Sequence, residues 1–228
     1  MLTPIGVFLR GMKVLIISDS PGTSLPWPNQ LPPADVELLW SASFQPQQAS
    51  GCTAVFDFTT HEHATLPECY QTWTGPLFLG SVLHTLEQLQ TGHRPIARFN
   101  HWMLQAGATE LEVAFSSETA AQLQELLQQL QLPYRAVPDI PGFISTRIVS
   151  LIINEAFLAL EEGVSGREEI DTAMKLGTNY PKGPFEWFAA VGPQRVATLL
   201  QQLSATHQRY TPAPLLLQTA DHGVPAEH

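Results

Sequence analysis

Basic residues are scarce in this sequence of 228 residues: 11 Lys and Arg stand against 21 Asp and Glu, a formal net charge of −10. Nucleic-acid binding draws on clustered cations that displace counterions from phosphates, and no basic run here supplies them, so no nucleic-acid partner is expected. Cysteine is nearly absent as well. Cys52 and Cys69 give no disulfide framework and fit a reducing, cytoplasmic setting. Long apolar runs are missing: none approaches the roughly 18 residues of a membrane span, so no membrane partner is expected either. The opening segment "MLTPIGVFLRG" lacks the charged start and long apolar centre of a secretory leader. Met12 reads as the effective start of the fold, and what precedes it as an extension.

What the sequence does hold is core. Hydrophobic residues make up 44% and charged residues only 14%, with glutamine taking much of the surface role. In the first part, short apolar runs alternate with turn formers: "VLII" (14–17), "VELLW" (36–40), "TAVFDF" (53–58) and "GPLFLG" (75–80). Such continuous runs suit strands buried on both faces of a parallel sheet. "PIARF" (95–99), "LEVAF" (111–115) and "YRAV" (134–137) are further strand candidates. Between the last two lies a helix with Ser116 or Ser117 as its cap, an apolar stripe of Leu123, Leu126, Leu127 and Leu130, and glutamines outside.

"LPYRAVPDIPG" (132–142) holds three prolines and a glycine and marks a domain boundary. Beyond it the pattern is helical. Ile148, Leu151, Ile152, Ala156 and Ala159 repeat at helical spacing, with Val149, Ile153, Phe157 and Leu160 on the neighbouring face. A helix this apolar around its circumference belongs inside a bundle or an oligomer interface. "GREEIDTAMKLG" (166–177) is a second helix stopping at Gly177, and a third spans about 193–205. The fold class is therefore α/β: a reduced Rossmann-like domain with a mostly parallel sheet over 1–138, then an all-helical domain over 139–228.

Residues 141–192 closely resemble the C-terminal domain of the 3-hydroxyacyl-CoA dehydrogenase family. The matching pieces are "PGF", a helix with "NEA", then "EEGV", "IDTAMKLG", "YPKGPFE" and a late "VG". "RYTPAPLL" (209–216) resembles that family's ending. The resemblance implies a Rossmann-like domain followed by a helical domain that dimerises, and an acyl-CoA-like small molecule as ligand. It also implies oxidation of a 3-hydroxyacyl-CoA thioester with hydride passing to NAD. In that chemistry a His is the general base, a Glu orients and charges it, and a Ser and an Asn bind the reacting oxygens. An imidazole suits the task because its pKa lies near neutrality.

Carried over position by position, "FLGSVLHTLEQL" (78–89) places Ser81 where the substrate-contacting Ser belongs, and "ELEVAF" (110–115) places Glu112 where the Glu belongs. "RPIARFNHWM" (94–103) departs from the family's His-Phe-Phe-Asn-Pro order. Arg98 or Phe99 falls on the catalytic position, and His101 comes two or three residues late. An odd shift along a strand turns a side chain to the other face. In "GFISTR" Thr146 stands where the family has Asn, keeping one hydrogen bond but not an amide's paired geometry. The candidate catalytic set is Ser81, His101, Glu112 and Thr146.

The cofactor motif fails three requirements. A dinucleotide site needs Gly-x-Gly-x-x-Gly after the first strand, and "ISDSPGTS" offers Gly22 alone. A helix must follow, because its N-terminal N–H groups hold the phosphate. Residues 19–34 contain Pro21, Pro26, Pro28, Pro32 and Pro33, and each interior proline costs a helix about 3 kcal/mol. The ribose-binding acid after the second strand is also missing, since that strand ends in Trp40-Ser41. No cofactor-binding residue is assigned. Only "SASFQPQQASGC" (41–52) separates the second strand from the third, where the family has a long helical segment that helps hold CoA.

Outside this constellation, His61, Glu62 and His63 between the two cysteines match no zinc spacing, so no metal is expected there, only a polar loop with two buried cysteines. Asp57 and Thr59–Thr60 read as a capping turn at a strand end. Tyr180 to Glu186 read as a structural turn, and Trp187 and Phe188 as core or interface aromatics. Two functions follow. One is a homologue degenerate for NAD chemistry that binds, regulates or scaffolds; the other is an active oxidoreductase with NAD and a rebuilt loop around His101.

Overall fold

The computed structural model describes residues 11–19, 26–27, 32–59 and 63–222. The Gly22 loop, most of the proline-rich segment after the first strand, His61 and Glu62 lie outside those residues. Two compact units emerge, one spanning Met1–His101 with Thr109–Asp139, the other Trp102–Ala108 with Ile140–His228.

The first unit is built on seven strands: β1 (Met12–Ile17), β2 (Val36–Ser41), β3 (Ala54–Asp57), β4 (Leu77–Leu79), β5 (Ile96–Phe99), β6 (Leu111–Phe115) and β7 (Tyr134–Ala136). They lie in the order β2-β1-β3-β4-β5-β6-β7. Every pairing is parallel except β5 with β6. All seven sequence-expected strands are present. "VLII", "TAVFDF" and "GPLFLG" take central positions, where side chains are covered on both faces, whereas "VELLW", expected to be buried likewise, is the edge strand β2 with only Val36 buried. One face gathers Leu15, Ile17, Val55, Leu77, Leu79 and Ile96 with Phe44 and Tyr70. The next residues along β3 and β4 bring Phe56 and Phe78 into a 4.4 Å stack, with Phe99 edge-on to Phe56.

The polar residues of the sheet sit on the same alternation. Asp57, Leu79 and Arg98 fall in one row across β3, β4 and β5. Between β5 and β6 runs α1 (His101–Gln105), and between β6 and β7 α2 (Ala120–Gln129). The stripe Leu123, Leu126, Leu127 and Leu130 on and after α2 is buried, as its spacing demands. Its cap differs from the expectation of Ser116 or Ser117. Thr119 is the N-cap, with no side-chain capping bond, while Ser116 shares a 2.8 Å hydrogen bond with the Thr119 hydroxyl. Buried Trp27 donates from Nε1 to the carbonyl of Leu130 at 2.9 Å, closing the far end of α2.

The second unit holds α3 (Ser145–Glu161), α4 (Arg167–Thr178), α5 (Pro184–Val191), α6 (Pro193–Ser204) and α7 (Pro214–His222). Phe157 of α3 meets Phe185 and Phe188 of α5 edge-on at 5.1 and 4.8 Å. Arg195 of α6 stacks on Trp102 and donates to Gln105, which ties α1 into this unit.

Three expectations are corrected here. α4 runs through Gly177 and ends at Asn179, whose φ of 56° gives the left-handed stop. The segment read as a turn from Tyr180 to Glu186 instead starts a helix at Pro184, because Pro tolerates the first helical position and Glu186 reaches back to the Gly183 N–H. The cysteines are not both buried: Cys69 is exposed and Cys52 half-buried, and both are free.

Candidate functional site

In open α/β sheets, ligands bind beyond the carboxyl ends of the strands, and there the sequence-expected residues Ser81, His101 and Glu112 are found. Gly80 ends β4 and donates its N–H to the Asp57 carbonyl at 2.7 Å. Ser81 follows it, fully buried, its hydroxyl donating to the His84 carbonyl at 3.2 Å.

Arg98 fixes this turn. Its guanidinium is fully buried on β5. Nη1 donates to the carbonyls of Ser81 at 2.9 Å and His84 at 2.8 Å, and Nε pairs with Asp139. The other Asp139 oxygen accepts the Leu86 N–H at 2.9 Å. Arg98 therefore clamps both ends of the 81–86 loop. Burial pulls its pKa down, and the Asp139 carboxylate opposes that shift. Burial also lowers the His84 imidazole, with the nearby Arg98 charge adding to the effect. Of the two residues that fall on the expected base position, Arg98 is thus a structural cation and Phe99 a buried aromatic set edge-on to Phe56 and Phe58.

His101 lies past the end of β5 and opens α1, so strand parity does not govern its direction. Its ring is buried beside Gly80: a Cβ there would come 2.8 Å from Nδ1. Phe58 and Phe99 stand edge-on to it at 6.1 and 6.2 Å. A glycine before Ser81 is what lets the imidazole approach.

Glu112, near the start of β6, meets a residue that the sequence reading missed. The antiparallel β5–β6 register brings Asn100 opposite Glu112, and the Asn100 N–H donates to the Glu112 carbonyl at 3.0 Å. The Asn100 side-chain amide donates to Glu112 Oε2 at 2.8 Å. An amide has no proton to exchange near neutrality. The signal for Asn100 was the antiparallel pairing itself, which one chain read linearly does not display. Thr146 lies in the other unit, fully buried in the first turn of α3.

Asp57 is the remaining buried acid at the strand ends. It accepts Thr59 N–H and Oγ1 at 2.7 Å each and the Tyr70 hydroxyl at 2.5 Å, the capping turn expected of it. Burial pushes its carboxyl up despite those donors, and pushes the Tyr70 phenol up as well. At the carboxyl end of β2, where a ribose-binding acid would be needed, stand Trp40 and Ser41, and the Ser41 hydroxyl donates to the Ser43 carbonyl at 2.7 Å. That end does not fit a dinucleotide's adenosine ribose. Among the described residues no group of three His, Cys, Asp or Glu is placed to hold a metal ion, and no helix is long and apolar enough to cross a membrane.

Residues 142–227 match the family described as 3-hydroxyacyl-CoA dehydrogenase, C-terminal domain. The chain is 46% identical over 96 residues to the 3-hydroxyadipyl-CoA dehydrogenase of Escherichia coli (strain K12), covering 41% of this chain and 20% of that protein. It is 36% identical over 106 residues to a probable 3-hydroxybutyryl-CoA dehydrogenase of Bacillus subtilis (strain 168), covering 46% and 37%. The chain thus spans well under half the length of these curated relatives. Among solved structures, the (S)-3-hydroxybutyryl-CoA dehydrogenase of Ralstonia eutropha superposes with a TM-score of 0.66 at 22% identity, over 83% of this chain and 71% of that one. That likeness concerns the fold.

Proposed function

For this chain, which belongs to the 3-hydroxyacyl-CoA dehydrogenase family through its C-terminal helical domain, we propose a binding or regulatory role toward an acyl-CoA-like thioester, without hydride transfer to NAD. The observation that carries this reading is the partner of Glu112. In the dehydrogenase chemistry a carboxylate orients and charges an imidazole; here the carboxylate is held by the Asn100 amide. An amide in that place can hydrogen-bond a ligand oxygen but cannot take its proton, which is recognition rather than oxidation. The lack of an acid at the end of β2 supports the same reading for the cofactor.

His101 favours the second reading. A buried imidazole beside Gly80 is the feature an active oxidoreductase would use after rebuilding its loop. Calorimetric titrations separate the two. The expected result is saturable binding of acetoacetyl-CoA with no saturable binding of NADH; a micromolar NADH dissociation constant would sink the binding role. Acetoacetyl-CoA-dependent NADH oxidation, lost in Glu112→Gln and His101→Ala, would establish the dehydrogenase. The same reading makes the protein a cytoplasmic homodimer that pairs through its helical domain.

A further inference from the structure

We infer that the helical unit carries a site for a phosphate oxyanion, built from Arg147, Arg209 and His207 around the ring of Tyr210, and separate from the strand-end residues discussed above. Tyr210 is almost wholly buried, and two guanidinium groups lie over its ring, Arg147 at 5.2 Å and Arg209 at 4.7 Å from the centroid. Sharing one ring puts the two cations within about one screening length of each other, ~10 Å at 0.1 M salt. His207 adds a third group that can carry positive charge, its ring 6.4 Å from that of Tyr210.

Neither arginine forms an ion pair with a described carboxylate. Two guanidinium groups thus share one ring with no described acid paired to either, in a chain with 11 basic against 21 acidic residues. Buried Arg147 Nε has no acceptor among the described residues. Arg147 also stands in the first turn of α3, at the positive end of the helix dipole, where a cation is disfavoured and an anion stabilised. Like charges gathered at a positive helix end are relieved by an anion between them.

The geometry is also prearranged. Arg209 Nη2 donates to the Tyr210 hydroxyl at 2.6 Å, which leaves the phenolic O–H free to donate onward. Arg147 is held from behind, since a Cβ on Gly142 would come 2.8 Å from its Cγ. Stacking on an aromatic face fixes a guanidinium plane while leaving its N–H edge for a ligand. Two such edges offer paired donors to a tetrahedral oxyanion of charge near −2, which neutralises both cations; a single carboxylate neutralises one. The ligand class is therefore a phosphate or phosphomonoester, whether free or as part of a nucleotide.

Isothermal titration of the full chain at low ionic strength with inorganic pyrophosphate, and separately with adenosine 3′,5′-bisphosphate, tests this. Saturable binding is expected, weakening as salt rises. Arg209→Gln, a change at an exposed position, is expected to bind about tenfold more weakly at unchanged melting temperature, because it removes one charge-assisted fork. Arg147→Lys keeps the charge but loses the fork and is expected to weaken binding similarly. Tighter binding of the nucleotide than of pyrophosphate identifies a nucleotide phosphate as the source; equal binding identifies free phosphate. Absence of saturation for both probes in the wild-type chain overturns the site, and so does equal affinity in Arg209→Gln. Because NADH and acetoacetyl-CoA also carry pyrophosphate, their titrations are repeated in Arg209→Gln: binding that persists unchanged there belongs to the strand-end residues, and binding that weakens with that of pyrophosphate belongs to this site.

Discussion

Arg98 shows what a buried cation at a strand end requires. On one of the two positions where the family resemblance would put an imidazole, a fully buried guanidinium spends its donors on Asp139 and on the carbonyls of Ser81 and His84. A buried charge is costly to leave unpaired, and removing one partner of such a pair destabilises by about 3–5 kcal/mol. Asp139→Ala strands the cation and is expected to reach the lower end of that range. Arg98→Met leaves only a carboxylate that is a quarter exposed and can hydrate, so a smaller loss is expected. Urea unfolding of both variants checks the order; equal losses would mean that the pair does not hold the Ser81 loop. Around Glu112 the logic differs, because the carboxylate accepts from a neutral amide, Asn100.

At the scale of elements, the α4–α5 junction concentrates the polar constraints of the helical unit. Asp171 on α4 accepts the N–H groups of Phe185 at 2.8 Å and Glu186 at 3.2 Å, capping α5 from outside its own turn. Lys175 donates to Glu186 at 2.5 Å, and Gly183 is required because a Cβ there would fall 2.3 Å from the Asp171 carboxylate. Asp171→Ala is expected to cost about 1–2 kcal/mol, a lost cap, while Gly183→Ala must displace the capping carboxylate altogether. Denaturant melts of the two variants check this.

The same junction sets a pH dependence with two signs. The hydrogen bond from Lys175 holds Glu186 below the ordinary carboxylate value. Its contribution is complete above that ordinary value of 4.5 and is lost as pH falls through the depressed folded value. Burial pushes Asp171 up, so its contribution runs the other way: stability declines as pH rises from the ordinary 3.8 through the raised folded value. Melting temperature followed from pH 3 to pH 7 is expected to lose its acid-side fall in Glu186→Gln and the opposing decline in Asp171→Asn. Unchanged profiles would remove both groups from the account.

For the whole molecule, the open question is what covers the apolar side of the helical unit. Ile148 is 53% and Leu176 83% exposed. A groove of about 230 Å³ is lined by Ile152, Ala156, Ala159, Ile170, Met174 and Pro184 together with Glu155. Exposed apolar surface of this kind is stabilised by a partner, and the proposed homodimer supplies a second copy of the chain. Light scattering at micromolar concentration is expected to give a dimer, and Ile148→Glu a monomer, because each copy would bury a charge. A strict monomer in the wild-type protein would remove the dimer from the reading.

The sequence by itself determined the elements with strong periodicity. Seven apolar runs became seven strands, and the leucine stripe became the buried face of α2. These are local patterns, set by which faces must leave water. It also carried the likeness of the helical part to the 3-hydroxyacyl-CoA dehydrogenase C-terminal domain, since a long ordered run of motifs survives reading along one chain. Tertiary structure decided everything that depends on pairing across the chain. The antiparallel β5–β6 ladder gave Glu112 to Asn100, the Arg98–Asp139 pair joined residues 41 positions apart, and Asp171 capped a helix 14 residues downstream. Local chemistry misjudged Thr119, Gly177 and Pro184 for the same reason. A cap or a stop is chosen by packing among several residues of similar propensity, and that choice exists only once the chain has folded.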